Sequence, residues 1–342
     1  MDLPGLYTNC RLCPRNCGVD RLAGQVGRCG ENAALRLAFA GLHMGEEPPL
    51  SGKGGSGTIF VSGCNVGCAF CQNWQISAGE PSFAAARSAG GANGASRPAA
   101  KTAGGSPTIQ RLGRAVSTEE FAAICLALQE KGAENVNIVT GSHAVPAIVL
   151  GLRAAKAGGL AIPVLWNSSG YESVAALELL NGLVDTWLPD LKTLDSGLAA
   201  RFFNAPDYPQ IAAAAIVWMM HNRPHGVIVR HLILPGCLES TRSVLRWFAE
   251  NAAGKALLSL MSQYTPMGTG GPGSKNGGQE RFVSRQEYET VLGWLGEFGI
   301  EDGFCQELIT GSHWLPDFSR PNPFSSELSV PVWHSQHKIP KI

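Results

Sequence analysis

A chain of 342 residues, 44% hydrophobic and 16% charged, carries enough apolar material for a sizeable core and too few charges for a solvated, disordered chain. Its 27 Lys plus Arg balance 27 Asp plus Glu, so no net field draws it toward nucleic acid or an anionic membrane, and neither is expected as a partner. The N-terminus MDLPGLYTNCRLCP has neither the basic start nor the apolar core of a signal peptide, and no apolar run approaches the ~20 residues of a membrane span. The expected location is cytoplasmic.

Seven of the ten cysteines fall within the first 71 residues. In a reducing compartment such crowding points to metal binding rather than to a disulfide framework. Residues 1–50, with Cys10, Cys13, Cys17 and Cys29, read as a small cysteine-rich, metal-stapled segment ending at Pro48-Pro49.

From there apolar, strand-like runs alternate with helical patterns. The runs are 58–62, 135–139, 162–166, 183–188, 226–234 and 257–261, and helices are expected at 117–131, 144–157, 173–181, 209–221, 239–252 and 284–298. Ser117-Thr118-Glu119-Glu120 has capping-box spacing, and Gly132 supplies a stop. The order of strand and helix predicts an α/β fold, a partial (β/α)6 TIM-type barrel over 51–310, with a C-terminal extension at 311–342. An Ala/Gly/Ser/Pro-rich stretch at 77–116 reads as a flexible insertion, and the Gly-rich 267–279 as a surface loop or lid. Residues 52–57 match G-x-G-x-x-G but precede a strand, the reverse of the dinucleotide-binding order.

Directly after the first run, Cys64-Asn65-Val66-Gly67-Cys68-Ala69-Phe70-Cys71 gives C-x3-C-x2-C. Three thiolates on one short loop can ligate three irons of a [4Fe–4S] cubane and leave the fourth iron open to an outside ligand. The competing readings are a zinc site completed by a distant residue and a chance cluster. Cys10-x2-Cys13-x3-Cys17-x11-Cys29 supplies four thiolates, which suits structural zinc or a second iron–sulfur cluster, and the spacing does not choose between them.

With Phe70 beside its last cysteine, the C-x3-C-x2-C loop resembles the signature of the radical S-adenosylmethionine (SAM) superfamily, and the chain is similar to the activating enzymes of pyruvate formate-lyase. The phrases CRLCPRNC, GSGTIFVSGCN and CQNW mark it as a divergent branch. The resemblance implies that Cys64, Cys68 and Cys71 hold the cluster and that Phe70 lies near the SAM adenine. Asn167, Asp190, Lys192 and Arg230 would line the remainder of the cofactor site. It further implies reductive cleavage of SAM to a 5′-deoxyadenosyl radical that abstracts hydrogen, with an electron from a low-potential flavodoxin or ferredoxin. A glycine of a protein substrate is the implied target.

One departure stands out. Where the family carries Gly-Gly-Glu, this chain has Thr140-Gly141-Ser142-His143, so backbone carbonyls or the side chains of Ser142 and His143 are the expected substitutes. The rival functions are a radical SAM enzyme acting on a small molecule or peptide, and a zinc-binding interaction protein without catalysis. A solvated turn is the plain alternative for Asp190 and Lys192.

Overall fold

A computed structural model describes residues 2–77, 112–267 and 280–338. The expected insertion at 77–116 therefore falls mostly outside the described residues, as does the Gly-rich loop after Met267. After a short 3-10 turn at Pro4–Tyr7, the strands are β1 (Arg36–His43), β2 (Ser56–Val61), β3 (Arg114–Ala115), β4 (Asn135–Val139), β5 (Val164–Ser168), β6 (Thr186–Pro189), β7 (Ile228–Leu232), β8 (Leu257–Met261), β9 (Gly303–Cys305) and β10 (Ser329–His334). The helices are α1 (Pro48–Ser51), α2 (Thr118–Glu130), α3 (Val145–Ala157), α4 (Val174–Leu180), α5 (Ser196–Phe203), α6 (Tyr208–Asn222), α7 (Leu238–Asn251) and α8 (Arg285–Glu297). None of them is long and apolar enough to cross a membrane.

Strands β2, β4, β5 and β6 pair in parallel, as do β7, β8 and β9. Two parallel bridges, Trp187 with Val227 and Asp190 with Arg230, join the two sets. The fold is thus a partial α/β barrel of the expected type. Its open edge is extended by β1, antiparallel to β2, and by β10, antiparallel to β1. Residues 36–50 of the expected N-terminal segment are continuous with the barrel, because β1 hydrogen-bonds to β2 and Leu50 packs on the inner-face floor; the chain before Arg36 packs against it, with Leu3 and Leu35 in the main core.

Period-two alternation sorts the strand side chains. Ile59, Ile138, Trp166, Trp187 and Val229 face the helices and are all 1% exposed or less; burial of such side chains is worth about 1.5–3 kcal/mol each. On the inner face Leu165, Leu188 and Ile228 form a floor, packed under Leu50 of α1 and against Phe304. Above that floor the same face carries Asn167, Asp190 and Arg230.

The helices start where local chemistry dictates. Ser117 Oγ caps α2 by accepting from Glu120 N at 3.1 Å. The Glu120 carboxylate, however, turns to Arg114 and Trp333, so the return half of the expected box is not made there. The full box forms at α8 instead, between Ser284 and Glu287. The loop at 52–57 holds a carboxylate from its own chain: Lys53 N and Gly54 N donate to Glu134 Oε1 at 3.0 and 2.9 Å.

Candidate metal and cofactor site

Strand β2 ends at Val61, and Gly63, at φ +89°, turns the chain into the cysteine loop. A Cβ at Gly63 would lie 2.5 Å from Glu31 Cγ and 2.9 Å from His143 Nε2, so only glycine fits. Cys64 Sγ accepts from the N–H groups of Val66 and Gly67 at 3.4 and 3.5 Å. The three thiols are half-buried and lie within electrostatic reach of one another. Burial, with Cys64 adding to it, pushes the Cys71 thiol up to about 11. Burial also raises Cys68, against the opposing charge of Lys192. A bound cation would reverse this cost, since thiolates are stable here only beside positive charge.

The other expected residues gather around this loop in different ways. Phe70 is 7% exposed and packs among Phe202, Phe203 and Tyr264 at centroid distances of 5.8, 5.8 and 5.7 Å. Asp190 and Lys192 form an ion pair whose side chains are 20% and 16% exposed, which is too enclosed for a solvated turn. Burial works against the Lys192 charge, yet Asp190 and then Cys68 outweigh it and raise its pKa. The Tyr208 hydroxyl fixes the backbone of this turn, donating toward Ser169 O and Asp190 O and accepting from Lys192 N at 3.0 Å. Asn167 stands half-buried at the end of β5.

Ser142 and His143 are turned into the protein. The Ser142 hydroxyl donates to Glu172 Oε1 at 2.7 Å, where Trp166 Nε1 also donates at 3.1 Å. His143 Nε2 sits 2.8 Å from Ser62 O, and burial, helped by Arg21, lowers its pKa to about 3. What this turn can offer outward is therefore backbone. Arg230 is ion-paired with Glu46 and Glu47 in the lumen.

The N-terminal quartet is loosely grouped, with Cys13 in electrostatic reach of Cys10, Cys17 and Cys29. Gly27 passes between two of its sulfurs, with a Cβ there lying 3.5 Å from Cys29 Sγ and 3.6 Å from Cys17 Sγ. Arg28 N donates to Cys17 Sγ at 3.2 Å, and Arg21 Nη1 lies 3.7 Å from Cys10 Sγ. Burial raises Cys13 to about 12 and Cys29 to about 11, the latter against the charge of Arg21. The segment docks on the cysteine loop itself, where Cys64 N donates to Cys29 O at 3.4 Å.

Residues 58–247, more than half of the chain, match the profile of the radical SAM superfamily. The chain belongs to that superfamily. As a radical SAM protein it is an enzyme that works with a [4Fe–4S] cluster and SAM. It is 29% identical over 262 residues to an uncharacterised protein of Methanocaldococcus jannaschii, spanning 76% of this chain and 67% of that one. Among solved structures it is similar to Streptococcus suis SuiB bound to its precursor peptide SuiA, with a TM-score of 0.47 and 15% identity over 71% of this chain and 46% of SuiB. A domain of pyruvate-formate lyase-activating enzyme from Bacteroides vulgatus gives a TM-score of 0.35 and 13% identity over 48% of this chain and 89% of that domain. The radical SAM chain thus spans less than half the length of SuiB.

Among the described residues no three His, Cys, Asp or Glu side chains converge tightly enough to chelate a single metal ion. A cubane asks for a different arrangement, because each of its irons takes one protein sulfur. Three thiols in mutual reach, with N–H donors on Cys64 Sγ and the Lys192 cation beside Cys68, fit that arrangement. Sequence reasoning missed Tyr208 and Glu172, whose partners come from other elements, and Arg15, which donates to Asn65 O and Asn204 O, 50 and 189 positions away. It also missed α5, whose signal was the Asp195 cap accepting from Leu198 N at 2.9 Å.

Proposed function

We propose that Cys64, Cys68 and Cys71 hold the [4Fe–4S] cluster and that Asn167, Asp190, Lys192 and Phe70 form the SAM side of the site. The observation that carries this reading is the meeting of three thiols, the half-buried Lys192 cation and Asp190 at the C-terminal ends of parallel strands, with Asn167 on the same inner face near the end of β5, where α/β barrels collect their chemistry. When bound, the cluster supplies the low-potential electron that breaks the sulfonium C–S bond, leaving the adenosyl carbon to take a hydrogen atom from the substrate. Lys192 and Asp190 offer a paired charge to the amino acid end of SAM, and the backbone at Thr140 and Ser142 offers carbonyls in place of the family's glutamate, those of Gly141 and His143 being held by Ala144 N and Arg21. The aromatic group around Phe70 shields the adenine side from water. A flavodoxin or ferredoxin delivers the electron, and the hydrogen donor is a glycine of a partner protein, as in the activating enzymes the sequence resembles. Cys10, Cys13, Cys17 and Cys29 hold zinc or a second cluster; for zinc, the sulfurs must draw closer than they stand.

Anaerobic reconstitution tests the reading. It expects about four irons per chain, with further iron only if the quartet takes a cluster, and 5′-deoxyadenosine formed from SAM on reduction. Zinc alone, with no SAM cleavage, would sink it. Replacing Cys68 by Ala should abolish cleavage with the barrel intact. Deuterium traced from labelled protein or from labelled small molecules into 5′-deoxyadenosine identifies the hydrogen donor, and label arriving only from small molecules would overturn the protein target.

A further inference from the structure

We infer that Arg15, placed between Cys13 and Cys17, is the positioning residue that holds the 64–68 loop in its ligating shape; the inference rests on the proposed role of that loop. One guanidinium reaches four carbonyls on two elements. Nε donates to Asn65 O at 2.7 Å, and Nη2 to Val66 O at 3.3 Å. Nη2 also donates to Phe203 O at 3.0 Å, and Nη1 to Asn204 O at 2.6 Å. The plane lies over the Tyr171 ring, 5.0 Å from its centroid. A rigid fork of five donors can satisfy this set; an ammonium, a single point of charge, cannot.

The carbonyls it holds are informative. Asn65 and Val66 are two of the three residues between the first two cysteines of the loop, and Phe203 and Asn204 end the helix whose aromatic rings pack on Phe70. Arg15 therefore ties the start of the C-x3-C-x2-C loop to the wall behind its end. Other anchors come from outside the loop as well: Asn65 Nδ2 donates to Tyr171 O at 2.8 Å, Ala69 N to Phe202 O at 2.9 Å and Cys64 N to Cys29 O at 3.4 Å. Within the 64–67 stretch the N–H groups of Val66 and Gly67 turn to Cys64 Sγ. The shape of the loop is thus set by neighbours, and Arg15 holds its backbone carbonyls through a charged group, whose hydrogen bonds are of the stronger, charge-assisted kind. The N-terminal cysteine segment becomes part of the cluster site, because the fold of the quartet decides where Arg15 stands.

The test compares wild type, Arg15→Ala and Arg15→Lys as full chains. Iron-free protein is alkylated with iodoacetamide and each cysteine is followed by mass spectrometry. Loss of two or more charge-assisted bonds should speed local opening, so Cys64 and Cys68 react about tenfold faster in Arg15→Ala and to an intermediate degree in Arg15→Lys. Cys10, Cys13 and Cys29 should keep their wild-type rates. After anaerobic reconstitution, the reduced cluster of Arg15→Ala should give a broadened EPR spectrum with a weakened response to SAM. Unchanged rates at Cys64 and Cys68, or an equal rise at the quartet cysteines, would overturn the inference, the second by showing general undocking. If Arg15→Ala does not fold, Arg15→Lys carries the same readouts. Wild type that takes up no iron overturns the proposed function, whereas iron-loaded wild type indistinguishable from both variants overturns this inference alone.

Discussion

Arg230 and Glu47 meet inside the barrel, guanidinium against carboxylate, with side chains only 8% and 7% exposed. Glu46 closes the group from the other side and accepts from Asn137 Nδ2 at 3.2 Å. Burial alone would raise the Glu47 pKa, but Arg230 overrides it and holds the carboxyl below its usual range. Arg230 thus fastens the 46–50 segment to β7. Replacing Arg230 by Met strands two carboxylates in the lumen and should cost about 3–5 kcal/mol, read as a lowered urea midpoint. Adding Glu47→Gln should restore part of the loss, and an additive double variant would contradict the pairing.

Gly63→Ala should damage both stability and the cysteine loop. Its φ of +89° strains any side chain, and the new methyl would meet Glu31, His143 and the Cys29 carbonyl, the last at 3.1 Å. The expected destabilisation is about 1–3 kcal/mol, with reduced iron uptake after reconstitution. A variant with wild-type iron content and melting temperature would show that the junction yields easily.

His231 makes the protein acid-sensitive. Its ring nitrogens lie 2.7 Å from Leu191 O and 3.0 Å from Thr241 Oγ1, and burial lowers its pKa to about 4, with the Lys192 charge acting in the same direction and Asp190 opposing. The unfolded chain accepts a proton near 6.5 that the folded chain refuses. Stability is therefore full above that pH and falls toward pH 4 by about 1.4 kcal/mol per unit from this residue. Urea midpoints measured from pH 7 to 4.5 should drop at least along this slope, and His231→Gln should remove this residue's share of it while buried His143 keeps its own.

Lys192→Met should weaken SAM binding about tenfold, the loss of one charge-assisted contact, when titrated into reconstituted protein. The same change leaves Asp190 without its cation beside the thiols. Unaltered affinity would move Lys192 from cofactor binding to support of the cluster loop.

The parallel strands were legible because short apolar runs alternating with helical patterns are local signals, and six of them lie where the sequence placed them, within a few residues. Strands β1 and β10 were not. RLAFAGLH reads as part of a cysteine-rich segment until its antiparallel pairing with β2 is known, and its second partner, β10, lies nearly three hundred residues away. The short α5 was missed for a related reason: eight residues carry too little periodicity to separate from a loop.

Among the site residues, the three loop cysteines announce themselves by spacing. Ser142 and His143 did not fare the same way, because whether a polar side chain faces a cofactor or a buried partner depends on the element packed behind it. Here Glu172 and the Ser62 carbonyl are those partners.

Taken alone, the order of residues determined the α/β rhythm, the C-x3-C-x2-C spacing of positions 64, 68 and 71, and the likeness to the superfamily, since each depends on neighbours a few positions apart. Only the tertiary structure decided that the quartet segment rests on the cysteine loop, that Arg15 spans the two, and that Arg230 is committed to glutamates. Those contacts join residues up to 189 positions apart, and a distance of that kind is fixed by how the barrel closes, not by any local pattern.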